Sequence, residues 1–250
     1  MNPTSVRTAV SVVVPAYQEA ASIAACLRRL VGVLEATGRA YEVVVVSDGS
    51  TDGTAAVARA LGLPALRVVE YAPNQGKGFA LLTGFRETAH PLVAFIDGDL
   101  DLDPVVLPGF FDRIEAGEVD VVVGSKVHPE SRVAYPLTRR LASRAFRLAT
   151  RAVLGLDLGD TQTGVKAMRR SVAAPAVEGC TLTGFAFDLE LMCRLVDSGA
   201  RVAEAPVVLD YAFSTTIGVS SALEAFRDLR RAARNRHVLL PPAALTEELR

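Results

Sequence analysis

The sequence predicts an α/β sandwich, a single domain in which helices cover both faces of a mostly parallel sheet. Five short apolar runs rich in β-branched residues recur in the first half of the chain, and helical patterns separate them. Continuous runs of this kind are typical of strands buried on both faces of a parallel sheet. Strand–helix alternation in turn favours right-handed crossovers between neighbouring strands. The predicted strands are Val10–Val14, Val43–Val46, Leu66–Val69, Leu92–Ile96 and Val119–Val123.

Helices fill the gaps between these strands. Apolar residues at helical spacing run from Ile23 to Leu34, and Gly38 follows as a stop signal. Three further helical patterns lie at Ala55–Leu61, Phe79–Thr88 and Pro104–Ile114.

The alternation changes after Gly124. The sequence then predicts a basic helix at Leu137–Leu154, a strand at Val165–Arg169, a helix at Phe185–Ser198, a strand at Val202–Leu209 and a last helix at Ser220–Arg236. No linker-like composition and no internal repeat divides the chain, so we expect one domain over residues 1–250, with halves at about 8–125 and 126–236.

The composition excludes several classes of protein. Half of the 250 residues are hydrophobic and the formal net charge is -1, which supplies a large core and gives no overall indication of nucleic-acid binding. The three cysteines show no metal-ligand spacing, and we expect free thiols in a reducing cytoplasm. No apolar stretch approaches the roughly 20 residues that span a bilayer, so a soluble or membrane-surface protein is expected.

Polar loops follow four of the predicted strands directly. They are Pro15–Glu19, Ser47–Gly53, Pro73–Lys77 and Asp97–Asp103. Because open α/β sheets bind ligands beyond the carboxyl ends of their strands, these loops predict a site at that edge. The chain has neither a Gly-x-Gly-x-x-Gly turn nor a Walker-type Gly-Lys-Ser/Thr, which argues against a dehydrogenase or a phosphate-loop enzyme.

The most acidic of these loops contains Asp97, Asp99 and Asp101 at alternate positions. Crowded carboxylates repel one another, and hard oxygen ligands suit Mg²⁺ or Mn²⁺. A solvated acidic turn is the alternative. An EF-hand does not fit, because Leu102 stands at the glycine position and Pro108 at the glutamate position.

These segments together resemble the signatures of GT-A fold family 2 glycosyltransferases, from about residue 10 to residue 215. The resemblance rests on seven motifs in order: Val12–Glu19, Val45–Thr54, Asn74–Gly78, Asp97–Asp101, Gly124–Lys126, Asp160–Lys166 and Phe185–Glu190. The last three are similar to the branch that glycosylates polyprenyl phosphates, in particular dolichyl-phosphate β-glucosyltransferases and dolichol-phosphate mannose synthases. The chain departs from the family pattern at Ser47, where Asp is usual, and at Lys126, where Arg is usual.

The resemblance implies roles for individual residues. The half at about 8–125 would bind the nucleotide sugar, through Pro15, Tyr17, Glu19, Asp48, Lys77, Asp97 and, from the other half, Gln162. Asp97, Asp99 and Asp101 would hold the metal ion. The half at about 126–236 would receive the acceptor phosphate through Lys126, Arg132, Arg139 and Arg140. Asp188, with Arg139 and Arg140, is the catalytic candidate. Asp188 and Glu190 would act as base or bind sugar hydroxyls, or would be only carboxylates favoured at a helix N-terminus. Gln162 and Lys166 would either touch the donor sugar or only order the loop.

Two stripes of arginines at helical spacing indicate the kind of surface on which the acceptor is bound. They comprise Arg140, Arg144, Arg147 and Arg151, and Arg227, Arg230, Arg231 and Arg234. Each could be an ordinary solvated face, but two in a nearly neutral chain suggest an anionic membrane surface, where polyprenyl phosphate is found. We therefore expect a peripheral protein at the cytoplasmic membrane face, and the sequence leaves open a membrane-protein partner or a homo-oligomer.

Three functions compete at this point. The first is inverting transfer of a hexose, glucose from UDP-glucose before mannose from GDP-mannose, to a polyprenyl phosphate. The second is transfer to a soluble glycan or small molecule, which would make Asp188 an essential base. The third is a nucleotide-sugar-binding protein without catalysis.

Overall fold

A computed structural model describes residues 7–99, 101–133, 148–184, 186–209, 227 and 229–236. Its centre is a seven-stranded sheet in the order β3-β2-β1-β4-β7-β5-β8. The strands are β1 (Val10–Ala16), β2 (Tyr41–Asp48), β3 (Leu66–Tyr71), β4 (Leu92–Phe95), β5 (Val121–Ser125), β7 (Lys166–Arg169) and β8 (Val202–Pro206). A second, two-stranded sheet pairs β6 (Arg132–Val133) with β9 (Val208–Leu209). The five strands predicted in the first half are confirmed.

The large sheet is parallel except at one strand. β1 pairs in parallel with both β2 and β4, β2 with β3, and β5 with β8. β7 runs antiparallel to β4 and to β5, between which it lies. Because β7 and β8 come from the second half of the chain, the two predicted halves share one sheet.

Helices cover both faces of this sheet, as predicted. They are α1 (Ile23–Ala36), α2 (Thr54–Arg59), α3 (Lys77–Arg86), α4 (Leu107–Glu115, after a 3₁₀ turn at Pro104–Val106), α5 (Arg170–Gly179) and α6 (Ala186–Asp197). Buried side chains of α1, α2 and α4 pack on one face, and those of α3, α5 and α6 pack on the other. The strand side chains alternate between these two cores, as in Val43 and Val45 against Val44 and Val46.

The structure differs from the prediction in the second half. Helix α5 was not predicted, because Pro175 lies inside it and proline normally indicates a break. The predicted strand Val202–Leu209 is divided at Val207 into β8 and β9, and β6 falls in a predicted loop. Of the two predicted basic helices, residues 148–154 and 229–236 are helical, and most of their other residues lie outside the described ones.

Within the described ranges, none of the helices combines the length and the apolar character needed to cross a bilayer.

Gly84 of α3 provides a test of how tightly this helix packs on the sheet. A Cβ at position 84 would overlap Val13 Cγ1 and lie 3.0 Å from Val46 Cγ2. We expect Gly84→Ala to lower the free energy of unfolding by about 1–3 kcal/mol, since overpacking a core displaces its side chains. Denaturant titration followed by circular dichroism measures the change.

The matched control is Gly32→Ala in α1, where no atom lies within 4 Å of an added Cβ. There the same substitution should raise stability, by up to about 1 kcal/mol, because alanine has the better helix propensity. Equal effects of the two substitutions would contradict close packing of α3.

Candidate active site at the carboxyl edge of the sheet

The polar loops meet where the strand order reverses. From β1 the chain moves outward to β2 and β3, then returns to place β4 on the other side of β1. Such a reversal leaves a crevice beyond the carboxyl ends of the strands, where open α/β sheets bind their ligands. Here the loops that follow Ala16 and Phe95 border this crevice.

Hydrogen bonds join the loops after β1 and β2 into one unit. The Gln18 N–H donates to Ser50 Oγ (3.1 Å), and Gln18 Oε1 accepts from the N–H groups of Thr51 (2.9 Å) and Asp52 (3.2 Å). Gln18 adopts a left-handed backbone conformation with φ 58°, which turns its side chain onto the second loop. Sequence reasoning missed Gln18, which fixes the positions of the adjacent residues Tyr17 and Glu19.

Those neighbours are donor-site candidates. Tyr17 is 51% exposed, so its ring is open to a ligand. Glu19 is fixed by its N–H, which donates to Thr54 Oγ1 (2.9 Å), and its carboxylate accepts from Ser22 Oγ. Pro15 is buried within β1 and can present only its backbone to the crevice.

Asp48 at the end of β2 holds the loop before α3. Its two carboxylate oxygens accept from the N–H groups of Gln75 (2.7 Å) and Gly76 (2.9 Å), and its carbonyl accepts from Asn74 Nδ2 (3.0 Å). Gly49 allows this approach, because a Cβ there would overlap the Asn74 backbone. Both carboxylate oxygens of Asp48 are therefore already hydrogen-bonded within the protein. Its contact with a nucleoside stays a prediction. The neighbouring Ser47 is fully buried, and its Oγ has no partner among the described residues.

Charged side chains of alternating sign form a row behind this loop. Lys77 Nζ lies 2.7 Å from Asp97 Oδ1 and 3.7 Å from Asp188 Oδ2. Lys166 Nζ lies 2.8 Å from Asp188 Oδ1 and donates to the Thr163 carbonyl at 2.6 Å. The row therefore joins the end of β4 to the first turns of α3 and α6 and to the start of β7.

The row determines the charge state of its members. Burial alone would raise the pKa of Asp188, but the ammonium groups of Lys166 and Lys77 outweigh burial and hold it below its usual value. Burial would lower the pKa of Lys77, and Asp97 and Asp188 raise it instead. Asp188 is thus a buried, charged ion-pair partner. A depressed pKa and two cations make a carboxylate a weak proton acceptor, and the catalytic role of Asp188 stays a prediction.

The three aspartates predicted as metal ligands have different partners within the protein. Asp97 is engaged by Lys77, while Asp99 Oδ1 accepts from the Asp101 N–H (3.0 Å). In the described part of the chain, no group of three or more His, Cys, Asp or Glu side chains is arranged to hold a metal ion. The metal-binding role of the three aspartates therefore stays a prediction, and Lys77 is a competing cation at Asp97.

Asp99 nevertheless retains the electrostatic character of a cation ligand. Desolvation of its carboxyl group, then repulsion from Asp97, Asp101 and Glu19, raise its pKa to about 6, although a backbone hydrogen bond opposes the shift. Among the described residues, no cation forms an ion pair with Asp99 as Lys77 does with Asp97. The donor set at Asp99 and Asp101 fits a divalent cation that completes its coordination with ligand oxygens.

The loop before β7 extends the site toward β5. Asp160 accepts from the N–H groups of Lys126 (3.3 Å) and Gln162 (3.1 Å) and from Thr163 Oγ1. These bonds attach Gln162, a donor-site candidate, to the turn that contains Lys126. Glu204 of β8 supports the loop by accepting from the Asp160 N–H at 3.0 Å.

Gly164 brings this loop against the acidic one. The antiparallel register pairs Phe95 with Lys166, and continuing it by two residues sets Gly164 opposite Asp97. A Cβ at position 164 would overlap the Asp97 carboxylate. Glycine at position 164 leaves this space to the Asp97 carboxylate, which a side chain there would displace.

The segment before α6 closes over the start of α3. The Thr183 carbonyl accepts from the N–H groups of Gly78 (2.6 Å) and Phe79 (3.2 Å), so protein already satisfies these two donors at the helix end. Glu190 holds the segment by accepting from the N–H groups of Thr181 (2.9 Å) and Leu182 (2.8 Å). The contacts of Glu190 and Lys166 favour the ordering of loops over contact with sugar.

The predicted acceptor residues are only partly described. Lys126 is half-buried and Arg132 is exposed, at the two ends of a turn that Ser131 Oγ closes by donating to the Ser125 carbonyl (2.6 Å). Arg139 and Arg140 lie outside the described residues, so their roles stay predictions.

We expect Asp48→Asn to loosen the loop before α3. Asparagine keeps one carbonyl oxygen but turns an NH₂ group toward the second backbone N–H, so one hydrogen bond to a charged acceptor is lost. Stability should fall by about 1.5–3 kcal/mol, and hydrogen exchange at Gln75 and Gly76 should accelerate in mass spectrometry.

Glu70→Gln is the control, because it removes a surface ion pair with Arg59 (2.8 Å) at the neighbouring strand. An exposed pair contributes about 0–1 kcal/mol, and exchange in the 74–78 segment should not change. Unaltered exchange in Asp48→Asn as well would show that Asp48 does not hold this loop.

Solved structures of sugar transferases have the same fold. Glucosyl-3-phosphoglycerate synthase from Mycobacterium tuberculosis, solved with uridine diphosphate, matches with a TM-score of 0.70 at 23% identity, over 91% of this chain and 80% of that one. Mannosyl-3-phosphoglycerate synthase from Rubrobacter xylanophilus matches with a TM-score of 0.70 at 20% identity, over 97% and 77%. At these identities the likeness establishes the fold alone.

Relatives closer in sequence carry more weight. The chain is 34% identical to glycosyltransferase AglD of Haloferax volcanii over 79% of its length, but spans only 32% of that protein. It is 30% identical to undecaprenyl-phosphate mannosyltransferase of Micrococcus luteus, over 78% of this chain and 81% of the relative. Dolichol-phosphate mannosyltransferase of Pyrococcus furiosus is 29% identical over 79% of this chain and 55% of its own length.

The match to a whole family decides the classification. The sequence model described as glycosyl transferase family 2 matches residues 11–174, which include the crevice loops, the charged row up to Lys166 and most of the sheet. Since that match covers well over half of the chain, this protein is a glycosyltransferase and belongs to glycosyl transferase family 2.

Proposed function

We propose that this enzyme transfers a hexose, with inversion, from a nucleotide sugar to a polyprenyl phosphate. Glucose from UDP-glucose is the first candidate and mannose from GDP-mannose the second. One observation carries the proposal: the loop at 160–164 joins the basic turn at Lys126 to the carboxylate of Asp97. A donor beside Asp97 and a phosphate beside Lys126 would therefore face each other at one edge of the sheet. The relatives named for polyprenyl-phosphate chemistry support this acceptor class.

The donor would lie in the crevice between β1 and β4. Tyr17, with its exposed ring, and Glu19 would contact the nucleoside together with the Pro15 backbone, while Asp48 would act through the loop that it holds. Lys77 and Asp97 would meet the diphosphate and ribose. Gln162, on the loop beside Asp97, would reach the sugar.

A divalent ion, Mg²⁺ or Mn²⁺, fits the donor set of this acidic loop. Asp99 and Asp101 would hold it, with Asp97 as a third ligand beside Lys77, which would meet the diphosphate. When bound, such an ion offsets the charge that develops on a departing nucleoside diphosphate.

The acceptor explains why no strong base is needed. A phosphate monoester has its second pKa near 6, so at neutral pH it is already a charged nucleophile. Lys126 and Arg132 would orient it, together with Arg139 and Arg140. The depressed pKa of Asp188 suits this acceptor better than a hydroxyl group, whose proton a base must remove.

We also propose that the enzyme works at the cytoplasmic face of a membrane. Helical residues 148–154 expose Leu148 (70%) and Val153 beside the exposed Arg151. Apolar and basic side chains on one surface helix are typical of segments that lie in a bilayer interface. A lipid-linked acceptor is found at such a surface.

Transfer to lipid tests the proposal directly. Purified protein, a short polyprenyl phosphate, Mg²⁺ or Mn²⁺ and labelled UDP-glucose or GDP-mannose should yield label that partitions into organic solvent. Asp99→Ala should reduce the rate by about 10²-fold or more, because it removes a ligand of the ion that stabilises the leaving group. Glu70→Gln, remote from the crevice, is the control and should keep the full rate.

Label that appears only on a soluble acceptor would overturn the assignment of polyprenyl phosphate. No transfer from any sugar nucleotide, with binding retained, would instead support a non-catalytic binding protein.

Metal binding should depend on pH through Asp99. Its pKa of about 6 means that the carboxyl group is ionised above that pH and protonated below it. A metal ion binds the ionised form, so Mn²⁺ should bind about fourfold more tightly at pH 7.5 than at pH 5.5 and release a proton at the lower pH. Titration calorimetry with Mn²⁺ alone measures both, because the terminal phosphate of a nucleotide would itself titrate in this pH range. Asp99→Asn should weaken binding and abolish this dependence, whereas equal affinity at both pH values in the unmodified protein would exclude Asp99 as a ligand.

A further inference from the structure

The charged row closes into a ring of contacts. From Asp97 it passes through Lys77 to Asp188 and Lys166 by ion pairs, and Lys166 donates to the Thr163 carbonyl. The next residue, Gly164, returns the ring to the Asp97 carboxylate. The ring thus supports Asp97 from two sides.

We propose that Lys166 and Asp188 are positioning residues, which set donor affinity by holding Lys77 on Asp97 and touch neither substrate. This inference rests on the proposed donor site at Lys77 and Asp97. It gives a role to a buried lysine more than 60 residues away in sequence from the polar loops of the nucleotide half.

The distances explain how the pair acts. Lys77 Nζ is shared unequally, at 2.7 Å from Asp97 and 3.7 Å from Asp188. Asp188 tolerates the longer distance because Lys166 neutralises it at 2.8 Å. Without Lys166, Lys77 would be the one cation among the described residues that lies within 4 Å of Asp188, and an uncompensated buried charge is strongly unfavourable. Lys77 would then move toward Asp188 and away from Asp97.

Burial separates this role from direct catalysis. The side chains of Lys166 and Asp188 are 1% and 5% exposed, and the two carboxylate oxygens of Asp188 face ammonium groups. A general base needs to lie within hydrogen-bond reach of the proton that it removes. Lys166 also lies directly behind the loop at 163–164, so it fixes the second support of Asp97.

A double-mutant cycle tests the proposal. Lys166→Met keeps the length of the side chain and removes its charge, and it should raise the KM for UDP-glucose about tenfold while kcat changes by less than about threefold. A rise in KM alone indicates lost binding rather than lost chemistry. GDP-mannose replaces UDP-glucose as the probe if only that donor is used by the unmodified protein.

The second variant adds Asp188→Asn to Lys166→Met. With both charges removed, Lys77 has no reason to leave Asp97, so the KM should return to within about threefold of the unmodified enzyme. Residues that act through one network show such non-additive effects. Asp188→Asn alone should retain a substantial kcat.

Arg39→Met is the matched control. Arg39 is equally buried and pairs with Asp112 (2.6 Å) and Glu115 (2.8 Å) at the opposite edge of the sheet. Removing the Arg39 charge should lower the temperature of unfolding and leave the KM for the donor unchanged. If Lys166→Met behaves like this control, its role is structural only and the proposal is overturned.

Two further outcomes are decisive. Complete loss of turnover in Asp188→Asn, without recovery in the double variant, would make Asp188 a base and overturn the proposal. If the unmodified protein transfers no sugar to polyprenyl phosphate, the proposed function fails by itself. The cycle is then measured as dissociation constants for UDP with Mn²⁺ by calorimetry, and the same pattern of loss and recovery would still support the ring.

Discussion

The need to neutralise buried and crowded carboxylates governs the architecture of this site. Asp97 and Asp188 both lie within 4 Å of Lys77 Nζ at the carboxyl edge of the sheet, next to the second apolar core. Charges in such surroundings persist only when paired. Lys77 and Lys166 supply the pairing, and the elements that carry them are thereby fixed relative to one another. The loop at 160–164 and the first turns of α3 and α6 all depend on this arrangement.

Much of the fold could be predicted because local signals and tertiary environment agree. The valines of β1 and β2 are buried on both faces, so their runs are continuous and easily identified as strands. The loops were found for a similar reason, since polar residues directly after a buried strand have few structural roles. In contrast, α5 contains Pro175, and its helical state depends on Ala173, Ala176 and Val177 packing into the second core. Tertiary packing there overrides the local signal.

The sequence predicted which loops form the candidate site, but it did not predict the ion pairs that connect them. The order of the motifs indicated which loops converge, but ion pairs between Lys77, Asp188 and Lys166 join residues far apart in sequence. A pattern of alternating aspartates suggests a cation without saying which cation, and for Asp97 the nearest one belongs to the protein. The hydrogen bonds by which Gln18 joins two loops could not be predicted, because a glutamine in a loop carries no distinctive signal. Its importance follows from a backbone conformation that only the structure reveals.

The reversed direction of β7 has a geometric consequence for how the two halves of the chain cooperate. In a strand parallel to β4, residue 166 would begin the strand at the opposite edge of the sheet, remote from the polar loops that border the crevice. Running the other way, β7 delivers its first residue, and the turn before it, to the rim where Asp97 lies. A single inverted strand thus places sequence from beyond residue 150 beside loops from the first hundred residues.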